Sequence, residues 1–221
     1  MMTNQFWEPV QLSLQVASIA VVIVTIIGVL VAWLMVSKRI KAKTIIETVI
    51  LLPIVLPPTV VGFLLIVMFG RNSVIGKIIV QTFDQPIMFT VTAAVIAAVV
   101  VSFPLMYQSV KTGFDLVDKD IQHASRIDGA SEWKVLWYIT LPLSYRSIIA
   151  GMVLSFARAM GEFGATVMFA GNIPGSTQTI PTAIYLALES GHTSIAWYYV
   201  IISVFFSFVL LLIINQVRVN R

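Results

Sequence analysis

Five stretches of this chain run for about twenty residues or more with almost no charge, and that pattern leaves few folds open. Crossing roughly 30 Å of hydrocarbon takes about 20 helical residues. The runs lie within Leu12–Val36, Thr48–Gly70 and Pro86–Ser109, then from about Ser147 to Ala170 and from about Ser194 to Asn215. Each is long enough to span, and only the fourth carries charges inside it, Arg158 and Glu162. The expected fold class is an all-α membrane protein with five transmembrane helices.

Composition supports the same class. Only 11% of residues are charged and 58% are hydrophobic, against roughly 25% charged in an average soluble domain. Such a chain cannot dress a soluble surface. Most of it lies in the bilayer, so the spans are expected to pack into a single domain over residues 9–217. Residues 1–8 form an extracytoplasmic N-terminus and 218–221 a cytoplasmic tail. The first run is too long for a cleavable signal peptide, and no Lys or Arg precedes it. The chain has no cysteine, which excludes disulfides, Cys-ligated zinc and a thiol nucleophile. The net charge of +4 belongs to loops at a membrane surface rather than to a nucleic-acid site.

Basic residues set the orientation. Lys38, Arg39, Lys41 and Lys43 follow the first run; Lys111, Lys119, Arg126, Lys134 and Arg146 follow the third; Arg218 and Arg221 follow the fifth. The opposite side has only Arg71 and Lys77. Eleven against two predicts the N-terminus outside and the C-terminus in the cytoplasm of a cell-membrane protein. Trp7 and the run Trp197-Tyr198-Tyr199 then fall at the outer interface, where amphipathic rings settle.

The longest cytoplasmic loop has its own order. Asp118 and Asp120 precede a helical stretch, Ile121–Asp128, and negative charge is favourable at a helix N-terminus. Gly129 can take the left-handed conformation that ends a helix. Ser131 and Glu132 then start a second helix with Trp133, Val135, Leu136 and Ile139, and Pro142 is expected to end it. An amphipathic segment resting on the inner membrane face would look similar. His123-Ala124-Ser125, three residues, Gly129, nine residues and Ile139-Thr140-Leu141-Pro142 resemble the cytoplasmic loop of ABC importer permeases. There the pattern is Glu-Ala-Ala, three residues, Gly, nine residues, Ile-x-Leu-Pro. His123 replaces the family's Glu and Ser125 its second Ala, while both gaps are kept. The resemblance implies a coupling helix that docks on an ATPase subunit, with His123, Ala124, Ser125, Arg126, Asp128, Gly129, Ile139, Leu141 and Pro142 as its residues.

Two spans carry irregularities. Pro53, Pro57 and Pro58 interrupt the second, with Gly62 a turn further on. Each proline removes a backbone donor, and broken helices at membrane depth commonly line a pathway. A packing kink is the alternative; Thr59 is the polar side chain nearest any gate. In the fourth span Arg158 sits about 16 Å beyond Ser147 by helical rise. Arg158 and Glu162, four apart, share a helix face and can pair. They form a structural ion pair, or else Arg158 supplies positive potential to an anion path, which Glu162 would largely cancel. Beyond it, Pro181 is expected to open a short outer helix.

Glu162-Phe-Gly-Ala-Thr166, Gly171-Asn-Ile-Pro-Gly175 and Thr179-Ile-Pro-Thr-Ala-Ile-Tyr185, with Leu51–Gly62 and Ser102-Phe-Pro-Leu105, are similar to the permease subunit of molybdate ABC importers. Sulfate and thiosulfate permeases share much of this. The resemblance covers nearly the whole chain. It implies a type-I ABC importer permease fold and a homodimer of permeases. It also implies two ATPase subunits that hold ATP and Mg, and an extracytoplasmic molybdate-binding protein. No cofactor or metal is expected in this chain, and no catalysis. Pathway or gate candidates are Pro57, Pro58, Thr59, Gly62, Arg158, Glu162, Gly164 and Thr166. Two other classes fit the residues less well. A small intramembrane enzyme would draw on His123, His192 and Glu162, which fall in the cytoplasm, outside and mid-membrane, so no two could share a site. An ATP-independent channel gives Gly129 no use. Tungstate and sulfate remain alternative substrates.

Overall fold

A computed structural model of the protein describes residues 2–37 and 40–219. Lys38, Arg39 and Arg221, counted above for orientation, and the ends of the two terminal segments lie outside the described residues. The described chain is helical throughout, with no strand. In order, the helices are α1 (Met2–Ser37), α2 (Lys43–Val55), α3 (Pro58–Phe69), α4 (Val74–Phe83), α5 (Val91–Asp115) and α6 (Lys119–Ile127). Then follow α7 (Glu132–Val135), a π-helical turn (Leu136–Thr140), α8 (Leu141–Met160), α9 (Gly164–Ala170), α10 (Ile180–Glu189) and α11 (Thr193–Val219).

Four of these are long and apolar enough to cross a membrane unaided: α1, α5, the continuous rod Glu132–Met160 and α11. The fifth crossing is broken. α2 and α3 meet at a bend of 117°, where Leu56 and Pro57 are extended (ψ 140° and 138°). Proline holds the residue before it away from helical angles, so the Pro57-Pro58 pair imposes the break. The two halves still traverse the bundle. α2 begins beside the C-terminal end of α5, where Glu47 meets Lys111 at 2.7 Å. α3 finishes beside the other end, where Phe69 packs 5.8 Å from Phe169 and Phe89 N–H bonds the Phe169 carbonyl.

α5 is the central post, buried along its length and packed against α1 and α8. Membrane helices gain no hydrophobic drive against lipid, so close approach through small side chains does the work. Ala94, Ala98, Ser102 and Gly113 on α5 face Ser144, Gly151, Ser155 and Ala159 on α8, all buried. A Cβ on Gly113 would stand 2.5 Å from Ser147 Cβ, and Ser155 Oγ donates to the Ser102 carbonyl at 3.3 Å. Three buried clusters stack from one end of the bundle to the other. Val10, Ile180, Ala183 and Tyr199 lie at the α10 end. A long middle layer is built on Ala97 and Phe169. Met35, Tyr107, Phe114 and Leu136 lie at the α6 end. The N-terminal turns of α1 reach past the expected start at Leu12, stacking Phe6 on Tyr199 at 4.8 Å.

Two expectations are corrected. The second loop helix does not stop at Pro142. A π turn widens the helix just before it, with Leu141 N–H bonding the Leu136 carbonyl five residues back, and Pro142 enters in the first turn of α8. Its missing N–H therefore falls where the register is already altered. The fourth span is not one helix either: it stops at Gly161 and restarts at Gly164. The short helix expected at Pro181 is present as α10, its start closed by a capping box between Thr179 and Thr182.

Candidate functional site

The loop helix α6 starts on Asp118, whose side chain accepts from Asp120 N–H at 2.8 Å, and has no buried residue. His123, Ala124, Asp128 and Gly129 are exposed, and Ile127 is 86% exposed. Gly129 has φ +87°. Ala130 N–H bonds the Ser125 carbonyl at 3.0 Å and Gly129 N–H the Arg126 carbonyl at 3.1 Å. These are the paired bonds of a Schellman stop. Ser125 turns its hydroxyl back onto the Ile121 carbonyl at 2.8 Å. Ile139 lies in the π turn, Leu141 packs on the nearby core cluster and Pro142 is exposed.

Sequence reasoning missed what ties this helix down. Arg126 Nε donates to Glu132 Oε1 at 2.7 Å and Nη2 donates to Oε2 at 3.0 Å. This two-pronged pair bridges α6 to α7 across the Gly129 turn, and it raises the Arg126 pKa above its ordinary value. Next to it Trp133 packs 4.7 Å from Trp33 on α1. A cavity of about 340 Å³, lined by Ser37, Asp115, Lys119, Gln122 and His123 among others, separates α6 from the ends of α1 and α5.

The second constellation lies at the other end of the rod. Here the two breaks meet. A Cβ on Gly164 would stand 2.8 Å from Pro58 Cβ and 3.4 Å from Thr59 N; one on Gly62 would stand 2.6 Å from Met168 Cβ. α3 and α9 are thus packed backbone to backbone, joining Pro58, Thr59 and Gly62 with Gly164. Thr59, Pro57 and Pro58 are exposed; Thr166 is buried, a packing residue. Arg158 Nη1 meets Glu162 Oε2 at 2.6 Å although the helix has ended between them. The other oxygen, Oε1, accepts from Ala165 N–H at 2.7 Å. Glu162 is 2% exposed whereas the Arg158 side chain is 32% exposed. One carboxylate therefore closes the end of α8 onto the start of α9. Its role at α9 was invisible in a sequence read as one continuous helix. Phe163 at the break packs 5.4 Å from Tyr185 of α10.

The His123–Gly129 group and the Pro58–Gly164 group do not touch. The rod Glu132–Met160 connects them, 29 residues or about 40 Å at helical rise. Among the described residues no cluster of three or more His, Asp or Glu could hold a metal.

Five crossings, two of them broken where they face each other, and an unburied amphipathic helix at one end define a multi-pass membrane transport protein. The chain belongs to the family described as "Binding-protein-dependent transport system inner membrane component", which matches residues 16–218. It is 55% identical over 217 residues to the "Putative molybdenum transport system permease protein YvgM" of Bacillus subtilis (strain 168), covering 98% of this chain and 96% of that one. It is 43% identical over 222 residues to the "Molybdenum transport system permease protein ModB" of Escherichia coli (strain K12), covering 100% and 97%. In fold it resembles a chain of a bacterial alginate ABC transporter solved in complex with its pentasaccharide-bound periplasmic protein, with a TM-score of 0.74 at 16% identity over 96% of this chain and 77% of that one.

Proposed function

We propose that this chain is the permease of an ATP-driven importer that carries molybdate across the cell membrane. The observation that carries the reading is end-to-end similarity, at 55% and 43% identity, to permeases named for molybdenum transport. Two copies would form the pathway between them, since five crossings enclose little and a two-fold pair is the economical assembly. An extracytoplasmic binding protein delivers the anion. Two ATPase subunits hold ATP and Mg and grip α6 through His123, Ala124, Ser125, Asp128 and Gly129, while Arg126 is turned back onto Glu132 and Ile139, Leu141 and Pro142 anchor the loop. The permease performs no chemistry itself. ATP, by binding one arrangement better than the other, shifts the dimer between inward- and outward-open states.

The N-terminus lies outside and the C-terminus in the cytoplasm, which puts α6 on the ATPase side and α10 on the binding-protein side. Pro57, Pro58, Thr59, Arg158 and Gly164 border the pathway, with the buried Gly62, Glu162 and Thr166 packed behind. Charge supports this placement. A cation turned to lipid at mid-depth costs at least ~2.5 kcal/mol, so the exposed side of Arg158 must face water or the second copy.

Uptake of labelled molybdate by a strain lacking its own permease, with tungstate and sulfate as competitors, tests the reading. Expression of this chain with its partners restores uptake, and tungstate, a tetrahedral dianion of nearly the same size as molybdate, competes better than the smaller sulfate. Sulfate uptake without molybdate uptake would assign the chain to the sulfate branch instead.

A further inference from the structure

We infer that Arg126 and Glu132 are a positioning pair: their two-pronged bond makes the ATPase-docking helix and the fourth span move as one body. The inference rests on the docking role proposed for α6 and says how motion leaves it. Three observations carry it. α6 has no buried residue, so packing does not fix its angle. A cavity of about 340 Å³ lies on its inner side, between it and Val36, Ser37, Phe114 and Asp115. Its firm ties are then the Gly129 turn, which fixes the chain's path, and the Arg126–Glu132 bonds at 2.7 and 3.0 Å, which fix the angle about that turn.

Glu132 is also the first residue of the rod that runs unbroken to Met160. Beyond that rod lie Glu162, bound to Arg158, and the contact of Gly164 with Pro58. A displacement of α6 thus enters at Glu132 and reaches the paired breaks through a continuous helix. Without the pair, α6 can swing into the cavity beneath it and the rod is left behind. Trp133 against Trp33 keeps the base of the rod on α1, so the loss falls on coupling and not on folding. Both side chains of the pair are partly exposed, 31% and 50%, and exposed pairs contribute little to stability. The geometry makes the pair a directional device.

The test uses the reconstituted importer, permease with ATPase and binding protein, in vesicles. Co-purification of the ATPase with the unmodified permease reports the docking reading by itself. Glu132→Gln should leave expression and co-purification intact, while molybdate carried per ATP hydrolysed falls about fivefold or more, the scale of a typical coupling free energy. Arg126→Gln should lower the same ratio. The decisive variant replaces both residues by cysteine in this cysteine-free chain. It should be uncoupled when reduced and recoupled when a short bifunctional thiol reagent bridges the two positions, with the unmodified complex given the same reagent as control. A normal transport-to-ATP ratio in Glu132→Gln overturns the inference, and so does a bridged double-cysteine protein that stays uncoupled. If the ATPase does not bind the unmodified permease at all, the docking reading falls first and takes this one with it.

Discussion

Glu162 Oε2 lies 2.6 Å from Arg158 Nη1, and its other oxygen, Oε1, lies 2.7 Å from Ala165 N–H. The ion pair is therefore half of a three-point closure across the gap Gly161–Phe163, and a positively charged lure for an anion is the weaker account of it. Replacing Arg158 alone by Leu strands a buried carboxylate, a loss of about 3–5 kcal/mol for a broken buried pair. The yield of assembled permease should fall sharply. Arg158→Leu with Glu162→Gln removes both charges and keeps an acceptor for Ala165 N–H, so assembly and most transport should return. A double variant that assembles well and carries nothing would show that Arg158 contacts the anion.

The Gly129 turn is governed by backbone angle and not by space. At φ +87° nothing lies within 4 Å of where its Cβ would stand. Gly129→Val should abolish transport at about 1–2 kcal/mol or more of local strain, with insertion into the membrane unchanged. Gly129→Asn, which tolerates the left-handed region, should retain a large part of it. Transport assays on equal amounts of the two proteins distinguish shape from bulk, and equal loss in both would count against the turn.

Crowding at the paired breaks is of the opposite kind. Gly62 and Gly164 have ordinary helical conformations but no room for a Cβ. Gly164→Ala and Gly62→Ala should each cost about 1–3 kcal/mol of packing strain and lower the thermal midpoint of the purified permease. A Gly62→Ala protein as stable as the parent would mean that α3 and α9 separate easily.

Orientation can be read with single cysteines, because the chain has none of its own. Ser176 and Asn72, the one exposed in the loop before α10 and the other between α3 and α4, should react with an impermeant thiol reagent outside intact cells. Ser131, beside the Gly129 turn, should react only after the cells are opened. External labelling at Ser131 would reverse the topology.

The loop was legible in the sequence because its signals are local. Asp118, Gly129 and Ser131 act within one turn of themselves: Asp118 caps α6 with its side chain, Gly129 takes the positive-φ stop, and Ser131 occupies the N-cap position of α7 without a side-chain cap bond. The proline break in the second span was legible for the same reason. The break in the fourth span was not. No proline marks it, and Glu162, the residue that closes it, reads equally well as a helical partner of Arg158. α4 had its cap in plain view, Ser73 accepting from Gly76 N–H at 2.8 Å, but its apolar run was too short to stand out beside the spans. Pro142 misled because a proline after a helical run signals an end, and a π turn upstream changes that meaning. Glu47, bound by Lys111 at 2.7 Å and by the Tyr107 hydroxyl at 3.1 Å, could not be paired without knowing which helices adjoin.

The π turn at Leu136–Thr140 gives the loop's spacing an angular meaning. Successive residues of an α-helix are set about 100° apart around its axis. The wide turn takes up one residue more than ordinary helix does over the same rotation. Wound as ordinary helix throughout, the same residues would bring Arg158 about 100° further round the axis relative to Glu132, off the face it now presents. The π turn thus acts as a phase setting, like the indexing of one gear against another. It fixes the direction in which the far end of the rod points when its near end is turned.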